Sequence, residues 1–178
     1  MSNTRVKTGK VRFSYANVFK PKAISEDADE KYSISLLIDK DDKKTVAKIE
    51  AAIQAAIEEG KSKFGGKIPK NLKLPLRDGD EDRPDDENYE NKFFLNANST
   101  RKPGIVDENL EEIISPDEFY SGCFGRATLN FYAFNVNGNK GIACGLQNLQ
   151  KLEDGERLGG SATSAEDDFA EDDDDDLL

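Results

Sequence analysis

The chain has 178 residues, 36% of them hydrophobic, with 36 acidic and 25 basic side chains and no histidine. That is enough for one ordinary core, and it lacks the commonest general base and zinc ligand, so most hydrolytic triads and mononuclear zinc sites are excluded. The net charge of −11 argues against a polyanionic ligand only until it is divided along the chain: residues 161–178 carry nine acids and no base, while residues 1–160 carry 27 acids against 25 bases. No apolar run reaches the roughly 18 residues a membrane span needs, and no apolar segment follows Met1–Arg5; the chain is expected off the membrane, in the compartment where it is made.

Within Val6–Phe19, the alternation of Val11, Phe13 and Tyr15 predicts a strand with one buried face, with Lys10, Arg12 and Ser14 pointing the other way. After Pro21 and the polar run Ser25–Glu30, Tyr32–Ile38 reads as a second strand, antiparallel to the first. The period then changes. Val46, Ile49, Ile53 and Ile57, with alanines between them, predict one long helix, capped by Asp41 or Asp42, ended by Gly60, and packed on a sheet or against the end of a barrel. Lys61–Asn91 is a long excursion with little regular structure, Lys92–Ala97 a strand, and Asn98–Gly104 a turn. Ser115-Pro116-Asp117-Glu118 predicts one or two helical turns before Gly122. The clearest strand follows, with Ala127, Leu129, Phe131 and Ala133 on one face and Arg126, Thr128, Asn130, Tyr132 and Phe134 on the other. Asn137–Gly138 reverses it, and Ile142, Cys144 and Leu146 carry the chain back. Cys123 and Cys144 are spaced neither as a redox pair nor as metal ligands and read as buried thiols.

The fold is therefore mainly β: a small barrel or curled sheet over residues 1–160, with one long packing helix and long loops, closed by Gly159–Gly160. Residues 161–178 form an acidic tail, expected to be disordered because like charges repel and apolar residues are scarce. The hairpin edge is left either to pair with a second copy, giving a homodimer, or to be capped within the barrel.

Arg126, Asn130, Tyr132 and Phe134 supply a guanidinium, an amide and two rings on one strand face, as a single-strand track requires; the same rings would equally serve a second hydrophobic layer. Lys10 and Arg12 with Tyr15 interleave charge and ring in the same way, or make a solvated face. Lys61, Lys63, Lys67, Lys70, Lys73 and Arg77 form a second basic cluster suited to diffuse phosphate contacts, joined by Arg101, Lys102 and Lys140 in turns. Gly60 and Gly65 have the spacing of a nucleotide loop, but Gly66 stands where its lysine belongs. Asp78, Asp80 and Asp82 invite a calcium-loop reading that fails at Arg83 and Tyr89, where glycine and glutamate are needed; a two-metal nuclease would need carboxylates from separate elements. No catalytic residue, metal or cofactor is assigned. Asp172, Asp173, Asp174, Asp175 and Asp176 with Leu177 and Leu178 are suited to lie over a basic groove or bind a basic pocket on another protein, or serve only solubility.

Longer stretches sharpen this reading. Lys31-Tyr32-Ser33, Pro75–Asp80, Phe94–Ala97, Arg101–Gly104, Asp117–Cys123, Gly125-Arg126, Asn130–Ala133, Asn137–Gly141, Gly145–Asn148, Leu158–Gly160 and Glu166–Phe169 make the chain resemble the tailed-phage single-stranded DNA-binding proteins built on an oligonucleotide-binding barrel. The resemblance implies a non-catalytic protein that coats exposed strands in phage DNA replication, recombination or repair, in the cytoplasm of the infected bacterium. It also implies a tail that modulates DNA binding and recruits phage or host replication proteins. Such tails commonly finish on phenylalanine, and Leu177–Leu178 depart from that pattern. The competing expectation is an acidic interaction module that mimics DNA toward a host enzyme.

Overall fold

The alternating segments become strands in a computed structural model that describes residues 3–23 and 29–158. They are β1 (Arg5–Lys7), β2 (Val11–Lys22), β3 (Lys31–Asp39), β4 (Arg77–Asp78), β5 (Lys92–Ser99), β6 (Gly104–Val106), β7 (Phe124–Val136) and β8 (Asn139–Glu153). Helix α1 (Lys43–Glu59) follows β3, and a single turn, α2 (Gly79–Asp82), follows β4. β2, β3 and β5 form an antiparallel meander, β7 pairs with β2 and β8, and β8 returns parallel to β5. The sheet thereby closes as a five-stranded barrel in the order first, second, third, fifth, fourth, which is the oligonucleotide-binding topology the resemblance implies. The β5–β8 joint consists of one registered pair, Asn98 opposite Gly145.

Phe13, Ile34, Leu36, Leu95, Ala97, Leu129 and Phe131 point inward and are almost fully buried. α1 adds Ile49, Ile53 and Ile57 across β1 and β7, each such side chain contributing about 2 kcal/mol when buried. Asp42 caps it, accepting from the Thr45 N–H at 3.1 Å. Gly60 ends it because nothing larger fits: a Cβ there would lie 2.1 Å from that of Ala133.

Several expectations are corrected. The first predicted strand is two, because Thr8 and Gly9 turn the chain; Thr8 N–H donates to Ala127 and Gly9 N–H to the Thr45 hydroxyl, each at 3.0 Å. Tyr15 does not join Val11 and Phe13 inside. The β2–β3 register shifts after Ser14, Tyr15 adopts φ 46°, and its ring turns outward. The helix expected after Ser115 is only a turn: Ser115 does cap it, its hydroxyl accepting from Asp117 N–H at 3.2 Å, but Phe119 is drawn into the core against Phe13 at 5.1 Å. Gly104, the last residue of the expected turn, opens the short strand β6, which the alternation of the chain does not predict. Both cysteines are buried free thiols, and burial pushes their pKa values up. The hairpin edge is taken up within the barrel by β1 and β2 on one side and β5 and β6 on the other. The Gly159–Gly160 boundary and the acidic tail lie outside the described residues.

Candidate nucleic-acid interface

The outer face of β3 and β5 has two halves. At one end Leu37 and Phe94 are roofed by Tyr89, whose ring meets Phe94 edge-on at 5.0 Å. At the other end the register sets Ser33 against Asn98 and Ser35 against Asn96, leaving a polar floor with no roof among the described residues. This floor opens into a cleft of about 750 Å³ walled by Tyr15, Lys22, Lys31 and Arg83.

Each wall is fixed by local structure. The positive φ that exposes Tyr15 is costly for a bulky residue, of the order of 1–3 kcal/mol, and such strain concentrates at functional sites. Tyr15 is 51% exposed. Arg83 is delivered by α2. Asp78 caps that turn, accepting from Asp80 N–H at 2.9 Å, and Lys40 clamps Asp78 and Asp80 at 2.7 and 2.8 Å. Hydrogen bonds from Lys40 are the main reason both carboxyls sit below the usual carboxylate range, and they hold the lysine above its own. The Arg83 guanidinium then lies over Tyr89 at 5.2 Å and Phe94 at 5.6 Å, with no ion pair among the described residues. The three carboxylates of the metal reading are spoken for by cations, since Asp82 takes Arg77 at 2.6 Å.

A second groove of about 310 Å³ shares Lys31 and Asn98 with the first and continues to Asn130, Tyr132 and Gln147. Its path follows the register from Ser33 to Asn98, Gly145 and Asn130 across four strands. Tyr132 is 42% exposed, beside the space Gly145 leaves open.

Of the predicted residues, Tyr15, Asn130 and Tyr132 therefore come together along one continuous surface. Arg101 and Lys102 are exposed in the turn after β5, with Lys102 over the Phe19 ring. Phe134 is half-buried beside Lys73 and Gly141 near the hairpin tip. There Lys63 donates to Ala133 O at 3.2 Å, Lys140 to Phe64 O at 3.4 Å, and Lys73 to Asn139 at 3.5 Å, while Lys61, Lys67 and Lys70 stand exposed in the adjoining loop. Three residues lie elsewhere. Lys10 pairs with Glu153, Arg12 holds the carbonyls of Gly122 and Glu156, and Arg126 holds that of Thr8. All three sit toward the Phe124 end of β7, about 20 to 26 Å along the strand from Tyr132. Their geometry is that of braces for β1, β2 and the 153–157 segment, and Arg77 likewise serves Asp82.

Sequence reasoning missed Lys31, Arg83, Asn96, Asn98 and Gln147 as site residues; Lys22 belongs to the basic run of residues 1–25, whose positive field attracts phosphates. The alternation Ser33, Ser35 and Asn96, Asn98 on two neighbouring strands was available as a signal for a polar outer face. Arg83 was hidden in an acid-rich loop.

The family model described as the single-stranded DNA-binding protein of Enterobacter phage Enc34 matches residues 4–178. The putative protein p50 of Acyrthosiphon pisum secondary endosymbiont phage 1 is 30% identical over 175 residues, covering 93% of this chain and 92% of that protein. Among solved structures, the Enc34 protein in complex with single-stranded DNA superposes with a TM-score of 0.76 at 28% identity, covering 88% of this chain and 90% of the other. A C-terminal truncation of the Enc34 protein gives 0.72 at 30% identity, covering 87% and 88%.

Proposed function

The chain belongs to the phage Enc34 family of single-stranded DNA-binding proteins, and from that premise we propose that DNA crosses its β3–β5 face and continues over β8 and β7. It is a non-catalytic single-stranded DNA-binding protein. The observation that carries the path is the continuity of the two grooves through Lys31 and Asn98, with an exposed ring in each and cations along the first. Tyr15 and Tyr132 stack on bases; Lys22, Lys31 and Arg83 meet phosphates; the basic loop with Lys67, Lys70 and Lys73 extends the positive field beyond Phe134. In the infected cell's cytoplasm the protein coats strands exposed during replication, recombination or repair. The tail of residues 161–178 competes with DNA for the grooves and, when displaced, recruits replication proteins.

The test is a fluorescence titration of the full chain with labelled oligonucleotides over a series of salt concentrations. The logarithm of affinity should fall against that of salt with a slope of about −0.7 per phosphate contacted. Salt-insensitive or absent binding would defeat the assignment.

A further inference from the structure

Tyr15 is turned outward by one extra residue in β2. Ser14 and Asn17 stand three apart on that strand, yet their partners Ser35 and Ser33 stand two apart on β3, so Tyr15 and Ala16 together face Ile34. Such a bulge re-aims a side chain and leaves ladder groups without a partner. Phe13 and Val18 keep their places in the core, and Ala16 packs against it where plain alternation would put Tyr15. The tyrosine ring is left to wall the first groove.

Two side chains meet the needs of this bulge. The β2–β7 register ends at Arg12, and residues 121–123 take over that edge of β2: Phe13 N–H donates to Cys123 O at 2.9 Å, and Gly122 N–H to Phe13 O at 2.7 Å. Next along the edge, the hydroxyl of buried Ser121 accepts from Ala16 N–H at 3.0 Å, while its carbonyl accepts from Leu158 N–H at 2.9 Å. Gly122 pins the segment, packed so closely that a Cβ would lie 2.1 Å from Glu156 O. Asn17 acts toward β3. Its Nδ2 donates to Tyr15 O at 3.2 Å and to Ser33 Oγ at 3.4 Å, tying the strained residue to the neighbouring strand. Neither Ser121 nor Asn17 is among the described residues that line the grooves.

We propose that Ser121 and Asn17 are positioning residues for strand binding, which hold the bulge and so keep the Tyr15 ring in its stacking place before DNA arrives. This rests on the stacking role proposed above for Tyr15. A ring fixed beforehand has less freedom to lose when a base stacks on it, so part of its share of the affinity depends on the tethers behind it.

The test is a double-mutant cycle in the full chain, read by oligonucleotide titration over salt at a temperature where every variant is folded. Tyr15→Asn should lower affinity by at least about fivefold. Ser121→Ala and Asn17→Ala should each lower it by roughly three- to tenfold, a part of what the ring carries, with the salt slope unchanged because no phosphate contact is lost. In the Tyr15→Asn background either change should matter by less than about twofold. A residue needed only for folding would lower the melting temperature and act equally in both backgrounds. Asn17, partly exposed, supplies a variant that leaves the buried 121–123 segment intact. For either residue, an equal loss in both backgrounds, or no loss beside a weakened Tyr15→Asn, overturns its role and leaves the DNA path standing. Wild-type affinity in Tyr15→Asn overturns the stacking reading itself.

Discussion

Tyr15 is the position that tests a stacking ring against a packing one. Its side chain is half-exposed and its backbone strained, so Tyr15→Asn, which tolerates a left-handed φ, should leave thermal stability unchanged or raised while weakening DNA binding by about 1–3 kcal/mol. A ring kept for packing would give the opposite pair of results in thermal melts and titrations. Arg83 should behave as a phosphate contact: Arg83→Gln lowers affinity and makes the salt slope shallower by about 0.7. Lys10 is the contrasting case. It is as basic as Arg83 in the sequence, but its ammonium already faces Glu153 at the far end of β7, and Lys10→Gln should move affinity by less than about 0.5 kcal/mol in the same titration. Charge and neighbours could be read from the chain at both positions; what each cation faces depends on a contact 143 residues away or on an aromatic shelf, which no local pattern encodes.

Among the elements, those whose period matched their burial were legible: β3, α1 and the β7–β8 hairpin all fall where alternation or a helical stripe put them. Failures came where tertiary contacts outvoted local signals, as when Phe119 broke a well-capped helix start to reach Phe13. α1 owes its stopping point to contact with β7, so Gly60→Ala should destabilise the protein by about 1–3 kcal/mol in chemical denaturation although alanine favours helix. α2 carries a pH dependence. The carboxyls of Asp78 and Asp80 have folded pKa values lowered by Lys40, so their share of stability is complete above the ordinary carboxylate range and disappears as pH falls through the lowered values. Lys40, raised in turn, loses its share only as pH climbs past the ordinary lysine range. Protection factors of the amides of residues 79–91, taken relative to the intrinsic exchange rate at each pH, should fall on acidification from about pH 5 to pH 3, and Lys40→Met should show the lowered protection already at neutral pH.

For the whole molecule, the bulk charge misleads and its partition informs. Fold class and strand-binding character followed from that partition, from alternation and from the family-like stretches, whereas the groove did not, because it is assembled from the polar sides of four strands whose order in the sheet is not their order in sequence. If the nine acids of residues 161–178 compete for the groove, deleting them should tighten oligonucleotide binding at low salt, with the difference shrinking as salt screens it.

The joint between β5 and β8 gives that groove a second meaning. Among the described residues, Asn98 and Gly145 are the one laced point at which the barrel is shut on that side, and both lie beneath the path proposed for DNA. A strand laid over them acts as a suture, so occupancy should quiet the breathing of the cylinder itself: amide exchange at residues 96–99 and 143–147 would slow on loading well beyond what direct shielding of the surface gives.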